Sequence, residues 1–358
     1  MIRSLSPYYV STPLISPNTG LLCSSYTLYI KVWDGDRNSP PNEVTYQLTK
    51  DNDAFLAGSD KIDIARLVSD FIEFTPQSNS STGIIDGNNQ KWIQYYNTYE
   101  TSDPADATTP QNMITDIMSL GYSYGNEGEN NNIVSESNLI PTQEYKVYRK
   151  GIFIVPILLD ESGVAASAVT IKSYPNNQIN ISQNISGTSN SSELVKYVWI
   201  DLNDANLDRY VEVTYKDAVT TLYIEDECRY NPINIVFQNK DGAEQNITFF
   251  KERTESMSVT NSVFERGGLQ ASDGFHQFVK YNIQGQSSFK ANSGYIDEIT
   301  NEVFRQMLLS EKLWIYENDQ FTPVNIKSRN ISYKTRQKDR LINYEIEFIK
   351  SYNEINNI

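Results

Sequence analysis

Few residues of this chain have the types and spacing that enzymatic chemistry requires. His276 is the only histidine among 358 residues, so any Ser-His-Asp or Cys-His site would have to use it, and one chain cannot supply a multi-histidine metal site. An isolated histidine beside Gly274 and Phe275 is more typical of a hydrogen-bonding loop residue. Cys23 and Cys228 lie far apart in the sequence, which predicts two buried thiols and no disulfide. We therefore predict no catalytic residue, no cofactor and no metal.

Carboxylates are the remaining candidates for chemistry. The acidic runs at 201–208 and 225–227 offer oxygen atoms that calcium prefers, but their spacing does not match an EF-hand loop, and solvated acidic turns are the simpler interpretation. The glycine-rich segment at 266–269 matches neither a phosphate loop nor a dinucleotide fingerprint. A carboxylate pair for glycoside hydrolysis is defined by separation in space and leaves no spacing in the sequence. Such a pair among the 45 acidic residues stays open as a hypothesis.

The overall charge restricts the partners of the chain. Its formal net charge is −15 and its isoelectric point is near 4.6, whereas neutralising phosphates needs a clustered excess of Lys and Arg. No run of about 18 apolar residues is present, and the first residues lack the apolar stretch of a secretory signal. We expect no direct nucleic-acid recognition, no membrane insertion and no Sec export.

Alternating apolar and polar residues predict a mainly β fold, with two small β-sandwich modules followed by a C-terminal antiparallel β domain that packs one α-helix. The first domain is 1–155, with a long polar insertion at 101–140. Its predicted elements are strands at 22–33, 44–50, 91–100 and 145–155 and a short helix within 60–72. The second domain, 156–227, has predicted strands near 168–173, 178–182, 195–201, 209–215 and 220–226, where aromatic residues at sheet spacing are more typical of a core than of a ligand site.

The third domain, 228–358, opens with a hairpin signal and closes with an amphipathic strand. Its predicted elements are strands at 233–238, 245–251, 276–286, 312–317, 321–328 and 341–350, a flexible glycine-rich arm at 265–275 and a helix at 295–310. Along the last strand one face is apolar and the other is mostly polar. We therefore predict Tyr344, Ile346 and Phe348 on this strand for the core, and include them among the residues of a candidate interface with a neighbouring subunit.

A basic segment at 327–340 stands out in this acidic chain. It holds six Lys or Arg residues against a single acidic residue. One interpretation is a solvated hairpin whose cationic edges block stray strand pairing. The other is a complementary contact with an acidic face of a neighbouring subunit, for which Arg336, Lys338 and Arg340 are the candidate residues. The sequence favours neither interpretation over the other.

The C-terminal block also resembles a known family. The matching residues are the motif Asn-Pro-Ile-Asn-Ile-Val-Phe-Gln-Asn-Lys-Asp-Gly at 231–242 and the segments 249–251, 293–298, 309–315 and 339–348. They resemble the hairpin, helix and sheet block in virion proteins of tailed bacteriophages that infect Bacteroidetes. The order of elements is similar to the tail-tube and distal-tail fold, a likeness at the level of fold alone.

The resemblance implies a structural virion protein of the tail, baseplate or adaptor region, assembled in the host cytoplasm. Its partners would be copies of itself in a ring and other virion tail proteins. The long loops at 101–140 and 260–292 would be arms that exchange strands with neighbours or wrap around them, and that become ordered on assembly. The alternatives are a carbohydrate-binding adhesin for host glycans, which needs several exposed Trp side chains, and a polysaccharide-degrading tail enzyme. Three of the four Trp residues sit in alternating strands, which favours core positions for them and a structural role for the chain.

Overall fold

The structure is mainly β, as the alternation of residues predicts, and its α-helices in the described part of the chain are short. It is a computed structural model that describes residues 1–11, 23–51, 61–79, 81–87, 90–101, 113–114, 117–125, 137–159, 167–176, 178–185, 194–204, 206–268, 274–328 and 342–354. Within these residues the strands form four larger sheets and one two-stranded ribbon.

Sheet I is built by the N-terminal part of the chain. In spatial order its strands are β1 (Ile2–Arg3), β9 (Met118–Gly121), β7 (Gln90–Thr101), β3 (Cys23–Trp33) and β4 (Tyr46–Asp51), with β8 (Met113–Ile114) beside β7. Every second residue of β3, from Tyr26 through Leu28 to Ile30, is fully buried, which explains the alternation in the sequence. The strands predicted at 22–33 and 91–100 are confirmed.

A ribbon and a short helix cover one face of sheet I. The ribbon, sheet II, pairs β2 (Tyr9–Ser11) with β5 (Lys61–Asp63), and α1 (Ala65–Val68) follows and continues into a 3-10 turn at Ser69–Phe71. Ile64, Val68 and Ile72 join the buried side chains of β3 in one cluster. The predicted short helix within 60–72 is confirmed, although its first residues belong to a strand.

Sheets III and IV combine strands from both sides of the boundary predicted at 155/156. Sheet III contains β10 (Ser137–Asn138), β12 (Ile152–Leu158), β15 (Val195–Asp201) and β6 (Gly83–Asp86). Sheet IV contains β11 (Glu144–Tyr148), β17 (Ala218–Glu225), β16 (Tyr210–Tyr215), β13 (Ser167–Tyr174) and β14 (Asn180–Ile185). The boundary therefore falls inside β12. The single strand predicted at 145–155 is wrong, because Lys150 has a left-handed φ of 80° that turns the chain from sheet IV into sheet III.

Sheet V is the largest sheet and holds most of the predicted third domain. Its seven strands are, in spatial order, β19 (Glu244–Phe249), β18 (Ile233–Gln238), β22 (Leu313–Glu317), β23 (Gln320–Ile326), β24 (Glu345–Lys350), β21 (Phe278–Asn292) and β20 (Arg253–Glu265). The alternation predicted for the last strand is confirmed, since its apolar positions are buried. Sheets III, IV and V contribute to one continuous core, which gives the chain its β-sandwich character.

The helix on sheet V is shorter than the sequence predicts. A 3-10 turn at Glu298–Thr300 leads into α2 (Asn301–Leu309), so the prediction of a helix over 295–310 is wrong at its start. The reason is that Ile296 is extended and its backbone N–H donates to the Ile342 oxygen at 2.9 Å. Tyr295 and Ile299, which the helical pattern placed on the apolar face, are consequently 56% and 52% exposed.

Side-chain hydrogen bonds connect sheet V to sheet III across the boundary predicted at 228. The Asn246 side chain on β19 accepts a hydrogen bond from the Ile154 N–H at 3.1 Å and donates one to the Ile152 oxygen at 2.7 Å. The Asn246 side chain therefore forms hydrogen bonds with backbone groups of β12 in the way that a neighbouring strand would. A buried amide with both its donor and its acceptor engaged fixes the relative position of the two strands.

The turn between β18 and β19 requires a glycine. Gly242 has a φ of +77°, and a Cβ atom there would lie 2.7 Å from the Tyr122 oxygen. We expect Gly242→Ala to lower the free energy of unfolding by at least about 1–2 kcal/mol, because a left-handed backbone strains an L-residue and the contact must also widen. Urea unfolding measures the change. Gly267→Ala is the matched control, since its Cβ would meet nothing within 4 Å. Equal stability of the two variants would contradict the prediction.

Candidate assembly surface

The hairpin formed by β20 and β21, residues 253–292 and called the arm below, is the most exposed part of sheet V. Its register runs from Arg253 opposite Ala291 to Glu265 opposite Phe278, with one irregularity where Asn282 takes a φ of +51°. The strand predicted at 276–286 is confirmed and is longer. The long loop predicted at 260–292 is wrong for most of the described residues, because 260–265 and 278–292 belong to the two paired strands of the hairpin.

The base of the arm is fixed to the body of the protein. Residues 288–292 of β21 pair with β24, and Phe289 and Ala291 are buried. The Arg253 guanidinium lies 4.9 Å from the centre of the Phe289 ring and forms ion pairs with Glu317 at 2.5 Å and Glu255 at 2.8 Å. These contacts hold the first residues of the hairpin in place, so the direction in which the arm leaves the sheet is fixed.

One face of the arm carries an exposed apolar stripe. Met257, Val259 and Val263 are 52%, 53% and 51% exposed. They alternate along β20, and the strand pairing places them on the same face as Phe289 and Ala291. The face that packs against the core at the base therefore continues outward as apolar surface, which is typical of an interaction site.

The far end of the arm, called the tip below, is rich in aromatic side chains. The exposed ones are Phe264, Phe275, Phe278 and Tyr281. The rings of Phe264 and Tyr281 meet edge to face with their centres 5.8 Å apart. His276, the only histidine of the sequence, is also exposed here.

β20 is also an edge strand without the usual protection. Natural edge strands commonly carry charged residues that discourage pairing with another chain. Residues 256–264 contain no charged residue, although the strand lies at the end of sheet V and most of its side chains are exposed. Its outer edge therefore suits the addition of a strand from another molecule.

The structure places the candidate residues of the C-terminal segment in two groups. Tyr344, Ile346 and Phe348 are 4%, 1% and 0% exposed and belong to the core of sheet V. Arg336, Lys338 and Arg340 lie outside the described residues, so their contact with a neighbour stays a prediction. Of the basic segment that contains them, Lys327 is described, and its ammonium forms an ion pair with Glu347 at 2.7 Å.

The two cysteines differ in their surroundings. Cys23 is buried at the start of β3, as predicted, and burial raises the pKa of its thiol. Cys228 is exposed, so the prediction of a buried thiol is wrong for this residue. The cause is its position in the bend between β17 and β18, where no sheet covers it. Within the described residues, no group of three or more His, Cys, Asp or Glu side chains is arranged to hold a metal ion.

The tryptophans give little support to a sugar-binding surface. Trp33, Trp92 and Trp199 are buried, as their positions in alternating strands predict. Trp314 is partly exposed and stacks on Phe74, with 5.4 Å between the ring centres. A sugar-binding platform needs an exposed aromatic face, and none of these indoles presents a fully exposed one.

A buried carboxyl group escaped the sequence analysis. Glu244, at the start of β19, is 0% exposed, and burial raises its pKa to about 8. One of its oxygens accepts a hydrogen bond from the Gln77 N–H at 3.0 Å, and the other is among the buried atoms without a partner. In the sequence Glu244 cannot be distinguished from a residue of the preceding turn, because the side chains that bury it come from distant segments.

Comparisons with known proteins add no relatives. None of the described helices has the length and apolar character needed to cross a membrane. A scan against models of protein families gives no match. A search of the curated proteins gives none either.

Proposed function

We propose that the chain is a structural component of a bacteriophage virion tail, forming a ring in the tail, baseplate or adaptor region by self-assembly. In this proposal it is not an enzyme, its partners are copies of itself and other virion tail proteins, and it is assembled in the host cytoplasm. The arm carries the proposal, because it offers apolar surface and an unprotected strand edge at once. The resemblance of the C-terminal block to tail proteins is the reason for assigning this surface to contacts within a virion tail.

Charge supports the arm as the contact between copies. Two chains with a net charge of −15 each repel one another over most of their surfaces. Between residues 256 and 289 the charged residues are Glu265, Arg266, Asp273 and Lys280, and their charges cancel. This part of the arm is therefore neutral on an acidic protein, and it allows close approach at a small electrostatic cost.

The apolar stripe is large enough for a weak contact between two copies, and such a contact gains stability when it is repeated around a ring. Complete burial of a Val or Met side chain stabilises a contact by about 1.5–3 kcal/mol, so the three stripe residues contribute several kcal/mol. Much of this is offset by the loss of translational and rotational freedom on association. A single contact of this kind is weak, whereas a closed ring gives every subunit two contacts and is correspondingly more stable.

A charge placed on the stripe tests the proposal. We expect Val259→Lys to abolish ring formation, because closing the contact would bury an ammonium group. The free energy of unfolding should change by less than about 0.5 kcal/mol, since the residue is exposed. Electron microscopy and sedimentation of the purified protein measure assembly. Val219→Lys, on the exposed surface of β17, is the matched control and should assemble like the parent. Rings formed equally well by Val259→Lys would overturn the role of the arm.

A further inference from the structure

The edge strands of the larger sheets differ in how well they are protected against pairing with another chain. Within the described residues, sheet I ends in β1 and β4, sheet III in β10 and β6, sheet IV in β11 and β14, and sheet V in β19 and β20. β1, β6 and β10 are at most four residues long. β4 ends with Lys50 and Asp51, β11 carries Glu144 and Lys146, and all six residues of β19 are buried. Short length, charge or burial therefore protects each of these strands.

β14 lacks all three kinds of protection, as β20 does. Residues 173–192 contain no charged residue, and β14 lies inside this segment. Four of its six side chains are exposed. β13 pairs with one side of β14, and no described strand pairs with the other side. The backbone N–H and C=O groups on that outer side are therefore available to a strand from another molecule.

The two faces of β14 are different, which restricts how a strand can be added. Ile181 and Ile185 pack against the core that sheets III, IV and V share, whereas Ser182 and Asn184 lie on the opposite, exposed face. Gln183 lies between the two isoleucines on the core face and is itself exposed, so this face is open at the edge of the sheet. A strand added here continues the sheet, and its apolar side chains belong on the face of Ile181 and Ile185.

β20 fits this edge in length and in pattern. Its uncharged stretch, 256–264, is longer than the six residues of β14. Its apolar stripe of Met257, Val259 and Val263 follows one face of the strand. Pairing that places the stripe beside Ile181 and Ile185 extends the apolar face of sheet IV, whereas a shift by one residue would place the stripe on the polar face. The two patterns therefore favour one alignment of the faces.

We infer that β20 of one copy pairs with β14 of a second copy, so that sheet V of one subunit continues into sheet IV of the next. The two strands belong to different sheets and are not paired with each other within one subunit. A pair of subunits therefore keeps one free β20 and one free β14, and the head-to-tail contact repeats from copy to copy. Pairing of two β20 strands would instead close an isologous dimer and use up both arms. The inference rests on the proposed self-assembly and names the strand that receives the arm.

Two full-length variants test the contact, because each blocks one of the two strands. Val259→Lys places a charge on the stripe and leaves β14 intact. Gln183→Lys places a charge at an exposed position on the core face of β14 and leaves β20 intact. Neither chain is expected to form a ring alone. Their equimolar mixture has one permitted contact, between β20 of the Gln183→Lys chain and β14 of the Val259→Lys chain, and should form a dimer with one copy of each.

Sedimentation velocity at equal total protein concentration measures this dimer. We expect at least about tenfold more dimer in the mixture than in either variant alone, because every other pairing would bury an ammonium group. Gln183→Glu keeps the shape of the glutamine side chain while adding a charge, and it should behave like Gln183→Lys. Val219→Lys is the matched control, since its exposed side chain lies on β17, an inner strand of the same sheet, and it should form rings like the parent.

The outcomes separate this inference from the proposed function. Rings formed by Gln183→Lys would reject β14 as the receiving strand and leave self-assembly standing. A Gln183→Lys chain that dimerises alone as much as in the mixture would indicate pairing of two β20 strands, and an absence of dimer from the mixture would also overturn the role of β14. Electron microscopy of the parent chain tests the ring itself. A mixed dimer together with a parent that forms no rings supports the strand pairing and rejects the ring.

Discussion

Replacement of Phe348 by alanine is expected to lower the free energy of unfolding by about 3–5 kcal/mol, the usual cost of deleting a buried phenylalanine. Phe348 is completely buried on β24. Its ring stacks on Phe289 at 5.1 Å and meets Phe249 edge to face at 5.6 Å. The alanine variant loses both contacts and leaves a cavity between β24, β21 and β19.

Urea or thermal unfolding of the unassembled protein measures this change. Tyr352→Ala, at a position that is 45% exposed just beyond the same strand, is the control and should change the free energy of unfolding by less than about 0.5 kcal/mol. A stable, folded Phe348→Ala chain that fails only in assembly would contradict the core position. It would return Phe348 to the interface that the sequence suggested.

Glu244→Gln is expected to stabilise the protein increasingly as the pH rises. The folded-state pKa of Glu244 is raised from 4.5 to about 8, so between these values the folded chain retains a proton that the unfolded chain has lost. Stability contributed by the protonated group is fully present below pH 4.5 and is lost as the pH rises toward 8. Glutamine does not titrate, so the variant avoids this loss.

The magnitude follows from the size of the shift. One pKa unit corresponds to about 1.4 kcal/mol, so the difference in unfolding free energy between variant and parent should change by about 4–5 kcal/mol from pH 4 to pH 9. A constant offset is expected in addition, because the amide brings its own buried donors. Only the pH-dependent part reports on the carboxyl group.

Denaturant unfolding at a series of pH values provides the test. Glu73→Gln, at an exposed position close to Gln77 in sequence, is the matched control for the loss of one carboxylate in this region. A Glu244→Gln profile parallel to that of the parent would show that the carboxyl group is solvated or paired in solution.

Local patterns were sufficient to predict most strands. β3, β15, β18 and β24 were found because each carries alternating or continuous apolar residues, and burial on one or both faces of a sheet imposes that pattern directly. The strand order was not predictable in this way. The parallel pairing of β11 with β17 joins residues 144–148 to 221–225, and no local pattern records such a distant partner.

The candidate assembly surface was harder to predict than the core. The sequence does not predict β20, and assigns its last residues to a loop, because its Ser, Thr and Asn residues are exposed on both faces, which leaves little contrast between them. Its only signal was Met257, Val259 and Val263 at even spacing. The pocket lined by Tyr145, Ile247 and Ile299 could not be predicted at all, since its lining comes from segments that meet only in the folded chain. Glu244 is similar, because the oxygen and amide partners around it belong to remote residues.

The position of β24 in sheet V determines when, during synthesis of the chain, the arm can pair with the sheet. β24 lies between β23 and β21, so it is the strand through which the arm pairs with the rest of sheet V. During translation, residues 253–292 leave the ribosome well before residues 345–350. A nascent chain can form the hairpin but cannot pair it with the sheet until the later strand has been made. The fully paired arm is therefore one of the last features to appear, and in the proposed assembly contacts through it would wait until each subunit has nearly finished folding.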